Sequence, residues 1–337
     1  MSDTKPTSPF RRVALIGGSG YLSDCFIKAF IEAKDEFEVT ILTRMENLAA
    51  TQERADGCSM LTVVGVDYDN EDQVREIFSK QEVVISLLLY QGLKLQETLI
   101  PIARAAGVKW FIPSEFGPDL HMAGTRKLQS YIDRRPSRME LERYGSREGM
   151  SYTYVIAGIL VETFTDPSNE WIPDFHTVMV PDASTRVKYD RGQALTGQFE
   201  KGQVKNSFIT CQDIAYCTLG VLRRFEKFAN KCARVASFTA SYDDWIAAFK
   251  TVKDVTYRPI YEPIEYLEQR IQRSLSDYDR DSNSSVIRRT IDQLRAAMAV
   301  GDGRIDVGSW KLDSNDMPEV SLTTLEEAVK NVPEYKP

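Results

Sequence analysis

The chain has 337 residues, 42% of them hydrophobic, and a formal net charge of −7. That is enough apolar material for one large or two modest globular domains. An acidic chain without a basic block carries no electrostatic footprint for nucleic acid or an anionic membrane.

The longest apolar run, Val83–Leu89, is far shorter than a membrane span, and Met1–Pro9 lacks the apolar core of a signal peptide. The expectation is a cytoplasmic protein, monomer or homodimer, whose partners are small molecules. The cysteines are five, an odd number without metal-type spacing, and the histidines only two, His121 and His176. Neither a metal centre nor a disulfide framework is expected.

In chain order, the first element is a β-type run, Arg12–Ile16, that breaks into Gly17-Gly18-Ser19-Gly20 ahead of a helical pattern. A strand, a glycine turn and a helix in succession open a nucleotide-binding βαβ unit. Glycines make the turn tight and let the backbone approach a pyrophosphate, whose charge sits on the N–H groups of the next helix. Gly17, Ser19, Gly20, Tyr21 and Leu22 are the candidates for that contact. The third motif position holds Ser23 in place of glycine, which predicts a slightly wider gap between helix and strand.

The second strand, 38–43, ends at Arg44. A site for NAD places a carboxylate there to accept from the ribose hydroxyls, whereas a guanidinium suits a 2′-phosphate. NADP(H) is the expected cofactor.

Further strands are predicted at 61–65, 83–88, 109–113 and 152–156. Helical patterns lie between them, one capped by Asn70 with Gln73 three residues on. The continuous apolar strands suit a parallel sheet buried on both faces. The fold class is therefore α/β, a Rossmann-type doubly wound parallel sheet. Such sheets bind ligands at the carboxyl ends of their strands. This singles out Gly17, Arg44, Asp67, then Ser86, Leu87 and Leu88, then Ser114, Glu115 and Phe116, and finally Ala157, Gly158 and Ile159.

Beyond residue 160 the rhythm turns irregular and aromatic. The chain reads as an NADP-binding domain over 10–160 and a smaller α/β substrate-binding domain over 161–337, with segments near 205–235 returning to the first. Helices are predicted at 241–252, 263–276 and 284–300, and a last short one capped by Thr323 and Glu326. The stretch 302–318 has no period and is expected to wrap over the surface. Phe164, Trp171, Phe175 and His176 form either a wall for an aromatic substrate or part of a core.

Four features occur in one order: the glycine turn, Arg44, Trp110-Phe-Ile-Pro-Ser-Glu-Phe-Gly117, and Tyr152-Thr-Tyr-Val155. Together they resemble the NmrA-like and isoflavone reductase-like branch of the atypical short-chain dehydrogenases, in its fungal members, with Asp213-Ile-Ala extending the match. The resemblance implies an NADPH-dependent oxidoreductase that reduces a C=C, C=N or C=O bond, or a benzylic ether, of an aromatic or heterocyclic secondary metabolite. Two other classes fit the same residues: a redox-neutral cyclase or isomerase that keeps NADP as a pocket component, and an NADP-sensing regulator.

The tyrosine–lysine pair of ordinary short-chain dehydrogenases is missing after the fifth strand. Tyr90 and Lys94 have its spacing but follow the fourth. The resemblance implies instead a lysine on the helix before Tyr152. Counting back without gaps puts Arg138 there, a residue that stays protonated and holds charge but takes up no proton. Ser137 and Glu140 read as a capping box that starts this helix, so Lys127 or Tyr131 could fill the lysine's space. His121 and Asp119 lie on the loop beyond Glu115, whose expected role is to order backbone amides near the nicotinamide.

Overall fold

The computed structural model describes residues 7–89, 92–119, 122, 132–147, 149–166, 177–182, 188–190, 193–195, 202–276, 283–307 and 310–332. Its centre is a seven-stranded sheet built from β1 (Arg12–Ile16), β2 (Glu38–Thr43), β3 (Leu61–Gly65), β4 (Val83–Ser86), β5 (Trp110–Ile112), β6 (Ser151–Ala157) and the later strand Lys231–Val235. The spatial order is Lys231–Val235, β6, β5, β4, β1, β2, β3. Every pairing is parallel. The order reverses between β1 and β4, and this is the crevice in which doubly wound sheets bind ligands.

Helices cover both faces. On one lie α1 (Tyr21–Glu32), α2 (Leu48–Ala55) and the helix Cys211–Leu222, which packs on α1. On the other lie α3 (Glu71–Phe78), α4 (Gly92–Ala105) and α5 (Arg135–Arg147). Strand β4 shows why its sequence is apolar without alternation. Val83 and Ile85 enter the first core while Val84 enters the second, and all three are fully buried.

Strand ends follow the local chemistry. β5 is shorter than 109–113 because Pro113 carries no N–H for the ladder. β4 ends at Ser86, although the Leu87 N–H still bonds the Ile16 carbonyl at 2.8 Å. Asn70 caps α3 by accepting from the Gln73 N–H at 3.1 Å. The last helix, Leu325–Asn331, is capped one residue later than the sequence suggests, by a reciprocal pair of Thr324 and Glu327.

After β6 the chain runs through Gly158 into the short strand β7 (Ile159–Leu160) and α6 (Val161–Thr165). β7 pairs with Asn206–Ile209, which pairs in turn with Phe238–Ala240. Asp213, buried at the start of its helix, ties these segments together. It accepts from Ser237 Oγ at 2.5 Å and from the Thr323 N–H at 2.9 Å.

Phe164 is fully buried among Phe208, Tyr242 and Trp245, so it belongs to a core and forms no wall. Trp171, Phe175 and His176 lie outside the described residues. The expectation of a surface wrap over 302–318 is also corrected. Ile305 and Met317 are buried, and Ser314 Oγ donates to the Ala236 carbonyl at 3.1 Å, closing the edge of the large sheet.

Candidate active site

The glycine turn leaves β1 at the reversal of strand order. Gly17 (φ +99°) donates its N–H to the Leu42 carbonyl at 3.1 Å. A Cβ on it would stand 3.4 Å from the Leu87 backbone. Gly20 (φ +112°) has nothing within 4 Å of where a Cβ would stand. Both glycines adopt a φ that other residues resist, and only at Gly20 is the space beside the turn open.

Helix α1 begins there without a side-chain cap, so its first N–H groups have no side-chain acceptor. Ser23 takes the third glycine position without disrupting the packing: it is buried, and its Oγ donates to the Gly17 carbonyl. The hydroxyl thereby fastens the turn to the helix.

Two residues missed by sequence reasoning hold the same turn from α2. Thr51 Oγ1 donates to the Gly18 carbonyl at 3.2 Å, and Arg54 donates to the same oxygen at 2.5 Å while its other arm pairs with Asp24 on α1. No motif marks these positions. They become visible only when α2 packs against α1.

Arg44 stands at the end of β2 with its side chain 62% exposed, and its ion-pair contact, to Glu46, is 3.8 Å long. Asp67 lies exposed beyond β3, its carboxylate accepting from the Asp69 N–H at 3.1 Å. Ser86 and Leu87 are buried at the end of β4, and the Ser86 hydroxyl has no partner among the described residues.

On the far side of the crevice, the Ser114 N–H donates to Gln96 Oε1 at 2.8 Å, and the Ser114 carbonyl accepts from Arg134 Nε at 2.8 Å. Phe116 takes a positive φ of 26° and packs edge-on against Phe26 of α1. The Ala157 N–H bonds the Gly117 carbonyl at 2.9 Å. At Gly158 a Cβ would stand 2.3 Å from the Ser207 carbonyl oxygen. Glycine is therefore required there by the neighbouring strand, a reason that owes nothing to a nicotinamide.

Arg138 holds charge, as its chemistry requires, but the charge it holds is that of a protein carboxylate. Its Nε and Nη2 donate to the two carboxylate oxygens of Glu115 at 2.9 and 2.7 Å, and its guanidinium lies 4.3 Å above the Tyr154 ring. Burial works against its charge, but Glu115 holds the guanidinium even more firmly protonated than usual. Glu115, for its part, orders this guanidinium where backbone amides were expected.

The capping box is not formed. α5 already begins at Arg135, and Ser137 Oγ is buried without a partner among the described residues. Tyr154, whose hydroxyl donates to Glu142 at 3.2 Å, is pushed up by burial and is no base. Asp119 is buried and paired with Arg234 at 2.8 Å. His121, Lys127 and Tyr131 lie outside the described residues, as does Tyr90.

Beside these groups is a cavity of about 190 Å³, lined largely by apolar side chains, among them Leu89, Leu93, Phe116, Ile159, Leu160 and Leu294, with Gly158 and Arg134 also on its wall. A larger cavity of about 490 Å³ opens at Tyr21, between α1, α6 and the C-terminal helix. The described residues of its lining include the carboxyls of Glu162 and Asp166 and no lysine or arginine, a set that does not suit a phosphate. Among the described residues no cluster of His, Cys, Asp or Glu fits a metal ion, and no helix is long and apolar enough to cross a membrane. Cys25 is pushed up to about 12 by burial, as expected of a thiol that fills space.

The profile of the NmrA-like family matches residues 10–297. Oxidoreductase aprR of Aspergillus flavus is 29% identical over 246 residues, covering 71% of this chain and 73% of that one. Among solved structures, an isoflavone reductase superposes with a TM-score of 0.72 at 18% identity, covering 95% of this chain and 98% of its own. AtPrR2 with NADP+ and (+)pinoresinol superposes with a TM-score of 0.72 at 17% identity, covering 98% and 99%. At these identities the likeness to both structures is one of fold.

Proposed function

This chain belongs to the NmrA-like family, and we propose that it is an NADPH-dependent reductase of an aromatic or heterocyclic secondary metabolite. The observation that carries this reading is the placement of two features at the carboxyl ends of the strands of one sheet. An open glycine turn with an uncapped helix start and an exposed Arg44 lies at the reversal of strand order, and the apolar cavity lies at the ends of β5 and β6. The names of two relatives, an oxidoreductase of Aspergillus flavus and a phenylcoumaran benzylic ether reductase of Pyrus communis, support the same class.

In this reading Gly17, Ser19, Gly20, Tyr21 and Leu22 take the pyrophosphate and Arg44 the 2′-phosphate. Ser86, Leu87, Leu88 and the Ser114–Phe116 turn border the nicotinamide half, together with Ala157, Gly158 and Ile159. Asp67 lies at the adenine end. NADPH, when bound, supplies a hydride. The protein's share is then to hold an acceptor carbon against it in the largely apolar cavity.

Arg138 and Glu115 act as a positioning pair that fixes the Pro113–Gly117 turn against α5. Candidates for the proton donor are His121, Lys127 and Tyr131, which lie in sequence between Pro118 and Arg134, two residues of the cavity wall.

The test is titration with NADPH and NADH followed by turnover. The protein is incubated with NADPH and a panel of aromatic and heterocyclic metabolites, and consumption of cofactor is matched to a product two hydrogens heavier. Tight NADPH binding with product of unchanged mass would move the assignment to a redox-neutral catalyst. Failure to bind NADPH would overturn it.

A further inference from the structure

We propose that Arg234, on the edge strand Lys231–Val235, is a positioning residue that sets the wall of the apolar cavity through Asp119. The inference rests on the reading of that cavity as the substrate pocket.

Arg234 and Gly117 flank one residue of β6. Arg234 pairs with Ile156 in the parallel ladder, and Gly117 bridges the same residue from outside the named strands. The guanidinium meets the chain again two residues after Gly117, where its Nη2 donates to Asp119 Oδ2 at 2.8 Å. Asp119 is fully buried, and Phe116, Gly117 and Pro118 just before it all stand on the cavity wall. Arg234 is itself absent from the described residues of that wall, so its effect on a ligand passes through this bond.

The arginine is held from behind as well. Its guanidinium lies 4.1 Å from the centre of the Trp310 ring, and its backbone N–H donates to Asp313 Oδ2 at 2.9 Å. Stacking fixes the guanidinium plane, and the charge-assisted bond to Asp119 is directional, so the carboxylate is placed as well as neutralised. The strand-end turn is thereby fastened at three points. Arg138 of α5 holds Glu115, the Ala157 N–H of β6 holds the Gly117 carbonyl, and Arg234 holds Asp119. The third fastening joins the wall to the segment around Trp310, far along the chain. A wall shifted by about 1 Å is enough to spoil the alignment of a bound ring.

The test titrates indole, a neutral aromatic probe of the cavity, and NADP+ in separate calorimetric experiments. The proteins are the parent, Arg234→Met, Arg234→Lys, Asp119→Asn and the double variant Arg234→Met with Asp119→Asn, at a temperature where circular dichroism shows each to be folded. Arg234→Met and Asp119→Asn are each expected to weaken indole by on the order of tenfold, and Arg234→Lys by less. The double variant should be no weaker than either single one, because both changes remove the same bond. NADP+ affinity should stay as in the parent. A role in stability alone would lower Tm and leave the indole affinity of the folded protein unchanged. That outcome, additive losses in the double variant, an equal loss for NADP+, or a parent that does not bind indole would overturn the proposal. If Arg234→Met does not fold, Arg234→Lys and Asp119→Asn decide. Failure of the parent to bind NADP+ would count against the reductase reading alone, because the indole titration contains no cofactor.

Discussion

Arg138 and Glu115, 23 residues apart in sequence, meet as a two-bonded ion pair whose side chains are 11% and 2% exposed. The pair joins α5 to the Pro113–Gly117 turn. Removing one partner leaves the other charge buried, so Arg138→Ala is expected to lower unfolding free energy by about 3–5 kcal/mol. The double change Arg138→Met with Glu115→Gln should recover most of that loss. Urea denaturation measures both, and an Arg138→Ala variant as stable as the parent would refute the pairing.

Arg44 is expected to set cofactor choice. Arg44→Ala should weaken NADPH by about 2 kcal/mol, the worth of a charge-assisted contact, and leave NADH nearly unchanged. Fluorescence titration of both cofactors measures the difference. Equal losses would remove the 2′-phosphate from Arg44.

Arg54 gives the contrasting case. It grips the Gly18 carbonyl and Asp24, so it acts through the shape of the glycine turn and not through the 2′-phosphate. Arg54→Ala should weaken NADPH and NADH alike, by roughly tenfold, with Arg54→Lys intermediate. A loss confined to NADPH would mean that Arg54 touches the phosphate itself.

Gly20→Val places a side chain where the protein leaves open space, at a φ that valine resists. The expected outcome is lost cofactor binding with an intact sheet, read by titration beside circular dichroism. Unaltered affinity would show that another segment makes the phosphate site.

Glu162 predicts a pH dependence. Burial raises its carboxyl above the ordinary carboxylate range, against the bonds it accepts from the Cys211 N–H. The folded state therefore holds the proton more tightly than the unfolded one. Its contribution to stability is full below the unfolded pKa and is lost as pH rises through the folded value. Glu162→Gln, which stays neutral, should raise Tm at neutral pH and change it little in acid. Calorimetry across that window checks the sign, and a lower Tm at neutral pH would show that the ionised carboxylate is the stabilising form.

Most of the fold was legible locally. Apolar runs such as Val83–Ile85, the break into glycines after Ile16 and the caps at Asn70 and Ser241 are decided by neighbours within a few residues, because strand burial, turn geometry and capping depend on short-range sterics and hydrogen bonds. The family could be read in the same way from Pro113–Gly117 and Tyr152–Val155. The catalytic half of the site could not. A count back from Tyr152 reaches Arg138, but whether a guanidinium faces a ligand or a carboxylate depends on what packs opposite it. Glu115 claims Arg138, while Arg134 bonds the Ser114 carbonyl beside the cavity. Gly158 answers to Ser207, the Gly18 carbonyl to Arg54, and the stretch around Ile305 to the edge of the sheet. Each of these joins residues more than 30 positions apart or elements far apart along the chain, and a long-range contact of this kind leaves no periodicity for the sequence to display.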